Sequence, residues 1–164
     1  ASLLVFSLKT RGQRMSLKMH FASLSLGASV DQQTGQLSVF DIVEEIRAPM
    51  LPIQLQSLVI ALSLEKLTPS LAQGKIFIHI FTPDGKQNSV GSGEIQIPAE
   101  QKRMKAVFRF GGFPVSQFGS HRFVLSWTDS KGTKEGEALL NFDVVQVTQV
   151  AQGLPPQDKP PMTH

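Results

Sequence analysis

The segment HFASLSLGASV, residues 20 to 30, decides the fold class of this chain. From Ala22 to Val30 every second side chain is apolar, and the side chains between them are small or polar. Alternation with a period of two is typical of a β-strand with one buried face. The segment DQQTG, residues 31 to 35, follows with a turn-forming aspartate and a glycine. We therefore expect a β-hairpin over residues 19 to 46.

The same alternation recurs in most of the following segments. Residues 58–64 are almost continuously apolar, which suits a central strand, and no segment keeps a helical period over ten or more residues. About eight strands at this spacing predict an all-β fold, an antiparallel two-sheet β-sandwich of Ig-like or C2-like type. The alternation also predicts a core row made of Phe108, Phe123, Leu125, Trp127, Leu140 and Phe142.

The charge of the chain divides it into three parts. Residues 1–18 carry four basic and no acidic side chains, whereas the remaining 146 residues have a net charge of −1. We expect a basic N-terminal extension over 1–18 outside the core, a sandwich domain over 19–150, and a Pro-rich disordered tail over 151–164. The extension is either a basic arm that binds something anionic or sequence upstream of a domain that starts at Met15 or Met19.

Several classes of function lack their sequence signatures. The chain has no cysteine, no phosphate-binding loop, no G-x-S-x-G elbow and no H-E-x-x-H motif. No turn carries clustered aspartates, as a calcium site would need. We therefore expect no enzyme, no catalytic residue, no metal and no cofactor. Apolar runs are too short for a membrane span, and without a recognisable signal segment we expect a cytoplasmic protein.

Two Pro/Gly-rich loops are the candidate contact surface for a partner protein. The loops at 48–52 and 111–119 contain apolar side chains, which in such loops either close the ends of a sandwich or meet a partner. These residues are Met50, Leu51, Phe113 and Phe118. The sequence favours a non-catalytic interaction module that binds another protein, whose identity it does not give.

A basic stripe is the candidate anion-binding feature of the domain. Arg103, Lys105 and Arg109 alternate with apolar positions on one predicted strand. The stripe is either an anion-binding surface or a purely structural feature, namely a solvated sheet face or a strand edge that charge protects from pairing. Because tyrosine is absent and the phenylalanines fall on apolar rows, base-stacking residues are missing, and we favour the second interpretation. A nucleic-acid partner is accordingly not expected.

Two rival functions remain open. One is a small-ligand-binding protein or enzyme with a site near His121 and Asp129, which would need a concave pocket with several polar groups. The other is a C2-like protein that binds anionic lipids. Both are kept as alternatives to the interaction module.

Three stretches are similar to a known family. They are ASVDQQTGQLSVFDIVEEIRAPMLP at residues 28–52, TPDG at 82–85 and FGSHRFVL at 118–125. Over about residues 19–147 the chain resembles a bacterial domain-of-unknown-function family of small all-β proteins. The resemblance implies a β-sandwich and supplies no catalytic residue.

Overall fold

The computed structural model describes residues 4–7 and 15–148, and all regular structure in them is β-strand. This confirms the predicted all-β class. The ten described strands are β1 (Leu4–Ser7), β2 (Leu17–Val30), β3 (Leu37–Ile42), β4 (Glu45–Ala48), β5 (Ile53–Lys66), β6 (Ala72–Phe81), β7 (Gln87–Ile97), β8 (Arg103–Val115), β9 (Gly119–Asp129) and β10 (Lys134–Gln146).

The strands form two sheets that pack face to face. The larger sheet has the order β1-β10-β9-β6-β7, and β4 also pairs with β10. The smaller sheet has the order β3-β2-β5-β8. All described pairs are antiparallel except β4 with β10, which run parallel, so the larger sheet is mixed. The predicted two-layer arrangement is present, with more strands than the eight expected and with one parallel pair.

The core lies between the inner rows of the two sheets. Five of the six predicted core residues are buried, and Phe108 is partly buried because β8 is an edge strand of the smaller sheet. Its ring covers Gly93 on β7, where an added Cβ would lie 3.2 Å from the Phe108 ring. The edges of the two sheets therefore meet along β7 and β8. The five buried residues are Phe123, Leu125, Trp127, Leu140 and Phe142.

The sandwich begins earlier than residue 19. Leu17 is fully buried, and the backbone of Leu4–Ser7 pairs with β10 from Leu139 back to Gly136. The expectation that residues 1–18 stay outside the domain is therefore wrong for Leu17, which is in the core, and for Leu4–Ser7, whose backbone joins the larger sheet. The sequence missed them because four residues of β1 are too few to show a period. The predicted tail, residues 151–164, lies outside the described residues.

The predicted second strand of the hairpin, residues 36–46, is two strands in two sheets. After β3 the buried Val43 donates its backbone N–H to the Leu24 carbonyl at 2.9 Å, and its side chain joins the core. The chain then crosses to the larger sheet, where β4 pairs with β10. Asp41 just before the crossing has a φ of 55°. A single aspartate is not a sequence signal that predicts the end of a strand, so the crossing was not expected.

The β2–β3 hairpin also contacts the outer face of the smaller sheet. Ala28 is buried together with Val59 and Ala61 of β5, and apolar side chains of β3 and β8 pack against this second, small cluster. Its turn has the predicted chemistry, because Asp31 accepts backbone hydrogen bonds from Gln33 and Thr34. These bonds lower the pKa of Asp31.

Candidate functional site

The two apolar loops predicted as a contact surface lie at the same end of the sandwich. Ile53, which follows the first loop, is paired with Val115 on β8. Ala48 and Gly119 lie on the two sides of β10, opposite Gln146 and Val144. The loop at 48–52 continues from Ala48, and the loop at 111–119 leads into Gly119. The two loops therefore flank the end of β10. We call this the His121 end, after the histidine at the start of β9.

Two of the four predicted contact residues are exposed there. Met50 is 70% exposed and Phe118 is 36% exposed. Gln146 donates a hydrogen bond to the Pro49 carbonyl at 3.3 Å, which ties the first loop to β10. The structure therefore places Met50 and Phe118, which are distant in sequence, at the same end of the sandwich.

The other two predicted contact residues face the interior. Leu51 is partly buried against the core. Phe113 is only 8% exposed, and its ring lies 6.1 Å from that of Phe110 and 5.7 Å from that of Phe123. The prediction that a loop over 111–119 displays Phe113 is wrong because β8 continues to Val115. Pro114 is tolerated there since an edge strand leaves one side of its ladder unpaired.

A cleft of about 610 Å³ opens at the same end, between the two sheets. Its apolar lining comes from β6, β7 and β8, and Gly111 and Gly112 leave room in the last of these. Four uncharged polar side chains complete the lining. The apolar residues are Ile80, Val90, Phe110, Phe113 and Pro114, and the polar residues are Thr82, Asn88, Ser116 and His121.

His121 is held in one orientation within this cleft. Its ring stacks on Phe142 with centroids 4.9 Å apart, and its Nδ1 lies 3.1 Å from the Gly119 carbonyl oxygen. Only 3% of the residue is exposed. Burial lowers the pKa of His121, whereas the Gly119 carbonyl and the charge of Asp143 oppose that shift. The imidazole is therefore neutral at pH 7, with its Nδ1 proton donated to Gly119.

The turn at residues 82–86 fixes the rim of the cleft. The Thr82 hydroxyl donates to the Asp84 carboxylate, and the Asp84 backbone N–H donates to Gln117 Oε1 at 3.2 Å. Hydrogen bonds to the carboxylate from the Thr82 hydroxyl, the Gln117 side chain and the Lys86 backbone N–H lower the pKa of Asp84. The turn therefore connects β6 to the loop that carries Phe118. The TPDG stretch at 82–85, which is part of the family resemblance, thus also supports the cleft.

His121 and Asp129 do not form one site. They lie at the two ends of β9, about 26 Å apart at roughly 3.3 Å per residue. Asp129 instead shapes the β9–β10 turn, where its Oδ1 accepts the backbone N–H groups of Lys131 and Thr133, both at 2.9 Å. The rival site near His121 and Asp129 is therefore corrected to a cleft at His121 alone.

Asp129 belongs to a second cleft with a different lining. This cleft, of about 620 Å³, lies at the opposite end of the larger sheet. Charged side chains of both signs line it, and Lys75 and Glu94 approach to 3.6 Å across it. The charged residues in its lining are Lys75, Glu94, Asp129 and Lys131.

The basic stripe is engaged within the molecule. Arg103 Nε pairs with Glu65 at 3.1 Å, and this hydrogen bond is the main reason that the pKa of Glu65 is lowered. Lys105 donates to the Gly35 carbonyl, and Arg109 donates to the Ala28 carbonyl. The stripe lies on an edge strand of the smaller sheet. Lys105 and Arg109 hold the β2–β3 hairpin against the sheet.

The sequence missed two groups of surface residues. Phe40 and Ile42, on the edge strand β3, are 53% and 59% exposed. The cleft residues Thr82 and Asn88 also escaped notice. The glycine pair at 111–112 could have hinted at a cleft, because it interrupts an otherwise regular strand.

Within residues 4–7 and 15–148, no three His, Asp or Glu side chains come close enough to hold a metal ion. That part of the chain also contains no helix long and apolar enough to cross a membrane.

Comparisons with known proteins give one family. The sequence matches the model of a family of unknown function, DUF6941, over residues 21–136. This match confirms the resemblance to an uncharacterised family of small domains. No curated protein matches the sequence.

Several solved structures are similar to the chain. A β-glucosidase from Listeria innocua is 12% identical, with a TM-score of 0.45, over 78% of this chain and 17% of that one. A β-glucosidase from Erythrobacter marinus is 10% identical, with a TM-score of 0.46, over 79% and 15%. A structural genomics target, SoR45, is 12% identical, with a TM-score of 0.40, over 91% and 97%. This chain thus spans less than a fifth of either β-glucosidase.

Proposed function

The chain belongs to the DUF6941 family of unknown function, and we propose that it is a non-catalytic interaction module that binds another protein. The contact surface is the His121 end of the sandwich. One observation carries the proposal: two apolar loops that are distant in sequence flank the end of β10 there and expose Met50 and Phe118. Loops on a rigid scaffold are where binding residues concentrate.

The chemistry of this surface suits a protein partner. Methionine is flexible and polarizable, and aromatic residues are enriched in the centres of protein interfaces. Leu51 and Phe113 lie beneath the loops and join them to the core, so the surface rests on a fixed base. A partner with a complementary apolar patch would bury Met50 and Phe118 without a change in the sandwich.

Affinity capture with the tagged full chain tests the proposal. The Met50→Asp/Phe118→Asp variant places two charges on the contact surface. The matched control is Leu67→Asp/Leu71→Asp, because these leucines are 48% and 46% exposed at the opposite end. We expect partners bound by the native chain to be lost from the first variant and kept by the second. Equal capture by folded forms of both variants would contradict the proposal.

A further inference from the structure

We propose that the cleft at His121 binds a small, uncharged, mainly apolar molecule that carries one hydrogen-bond donor, such as a hydroxyl group. This inference goes beyond the proposed function and does not depend on it. The cleft volume of about 610 Å³ falls within the range of small-molecule sites, which run from roughly 300 to 1,000 Å³.

The lining of the cleft selects against charge. No Asp, Glu, Lys or Arg side chain is among its described lining residues, in contrast to the cleft at Asp129. A charged ligand would leave water without a counter-ion, which is costly in an apolar site. An uncharged ligand avoids that cost, and the partly buried ring of Phe110 in the lining favours a flat or aromatic one.

The position of the proton on the His121 ring determines which kind of polar group the ligand must carry. A carbonyl oxygen can only accept, so the Nδ1 atom that lies 3.1 Å from Gly119 must carry the ring proton. In the neutral ring Nε2 is then an acceptor, and it has no hydrogen-bond partner among the described residues. The ring cannot turn freely, because it stacks on Phe142. A ligand hydroxyl or N–H would supply the missing donor.

The cleft is also a fixed space. Phe113 contacts the core through Phe123, and Phe110 stacks on the same ring at 6.2 Å. The rim is held by the bond between Asp84 and Gln117. Aromatic walls that rest on the core need little ordering when a ligand enters, which favours binding.

Three probes of one shape test the inference on the native full chain by protein-observed NMR titration. They are 2-naphthol, which has a donor, naphthalene, which has none, and 2-naphthoate, which is an anion. We expect 2-naphthol to bind about fivefold more tightly than naphthalene, the value of one net hydrogen bond. We expect 2-naphthoate to bind most weakly, and the shifted resonances to belong to residues 110–116 and His121.

Two variants locate the hydrogen bond. His121→Phe keeps an aromatic ring against Phe142 and removes the acceptor, so 2-naphthol should bind it no better than naphthalene. Lys75→Ala, in the charged cleft, is the matched control and should keep the native preference. The inference is overturned if 2-naphthoate binds best, if 2-naphthol gives no shifts at the His121 end, or if folded His121→Phe keeps the preference. Should that variant not fold, the order of the three probes on the native chain decides.

Discussion

The two ends of this sandwich differ in how far their polar side chains are hydrogen-bonded within the chain. At the end where β10 begins, which we call the Glu135 end, the buried Glu135 carboxylate accepts the backbone N–H groups of Ser16 and Leu17, each at 2.9 Å. The Lys66 ammonium donates hydrogen bonds to the carbonyl oxygens of Pro98 and Ala99, in the β7–β8 connection, at 2.7 and 2.8 Å. At the His121 end, His121 Nε2 has no hydrogen-bond partner among the described residues, and it is not one of the fully enclosed unpartnered atoms, which in that part of the chain are Ser23 Oγ and Ser63 Oγ.

This difference distinguishes polar groups that stabilise the fold from polar groups that are available to a ligand. A buried polar group that is fully bonded inside the molecule stabilises the fold and has nothing left to offer a ligand. At the Glu135 end the Trp127 ring also fills the space over Gly136, where an added Cβ would lie 2.5 Å from the ring. Both ends carry a cleft, but charged side chains line the cleft at the Glu135 end, whereas the described lining of the cleft at the His121 end holds none. The comparison is the basis on which we propose that the Glu135 end serves stability and the His121 end binding.

The largest expected effect separates two aromatic residues, one at each end. Trp127→Ala should lower the free energy of unfolding by about 3–5 kcal/mol, because the ring is fully buried and its loss leaves a cavity. Phe118→Ala should cost about 1 kcal/mol or less, since Phe118 is partly exposed. Urea unfolding of the two variants measures both values. Equal losses would break the distinction between the ends.

A smaller effect separates two glutamates on β10. Glu135→Ala should cost about 2–3 kcal/mol, because it leaves the N–H groups of Ser16 and Leu17 buried without an acceptor. Glu137→Ala, two positions along, removes only a surface pair with Lys134 and should cost about 0–1 kcal/mol. Chemical unfolding at constant pH compares them. A Glu135 variant as stable as the Glu137 variant would show that the Glu135 end is not closed by this carboxylate.

The sequence predicted the fold class because a period of two is a local property. The inner row of Phe123, Leu125 and Trp127 can be read from one strand without knowledge of its neighbours. Pairing between distant strands cannot be read in this way, so the parallel pairing of β4 with β10 was missed. Phe113 was misplaced for the same reason. Its strand continues because Ile53–Leu55 extend β5 beside it, while its own neighbours are glycine and proline.

The candidate site was predictable only in part. Met50 and Phe118 follow from the rule that apolar residues in loops either close an end or meet a partner, and both are exposed. Joining His121 with Asp129 was wrong, because the seven residues between them belong to one extended strand and place the two side chains far apart. The cleft itself could not be predicted. Its walls come from both sheets and meet only after the sheets have packed.

The smallest expected effect concerns the unpartnered histidine of the His121 end. Burial lowers the pKa of His121 in the folded chain, so on acidification the unfolded chain takes up this proton first, near pH 6.5. Stability should therefore fall as the pH drops from about 6.5 toward the lower folded-state pKa. His121→Phe removes this contribution but keeps a ring against Phe142. Its urea midpoint should change less between pH 7.5 and pH 5.5 than that of the native chain. Exposed His20 and the carboxylates are common to both proteins, so the difference isolates His121. Identical pH dependence in the two proteins would mean that the ring takes up its proton inside the fold as readily as in water, and the His121 end would then lack the neutral acceptor that sets it apart from the Glu135 end.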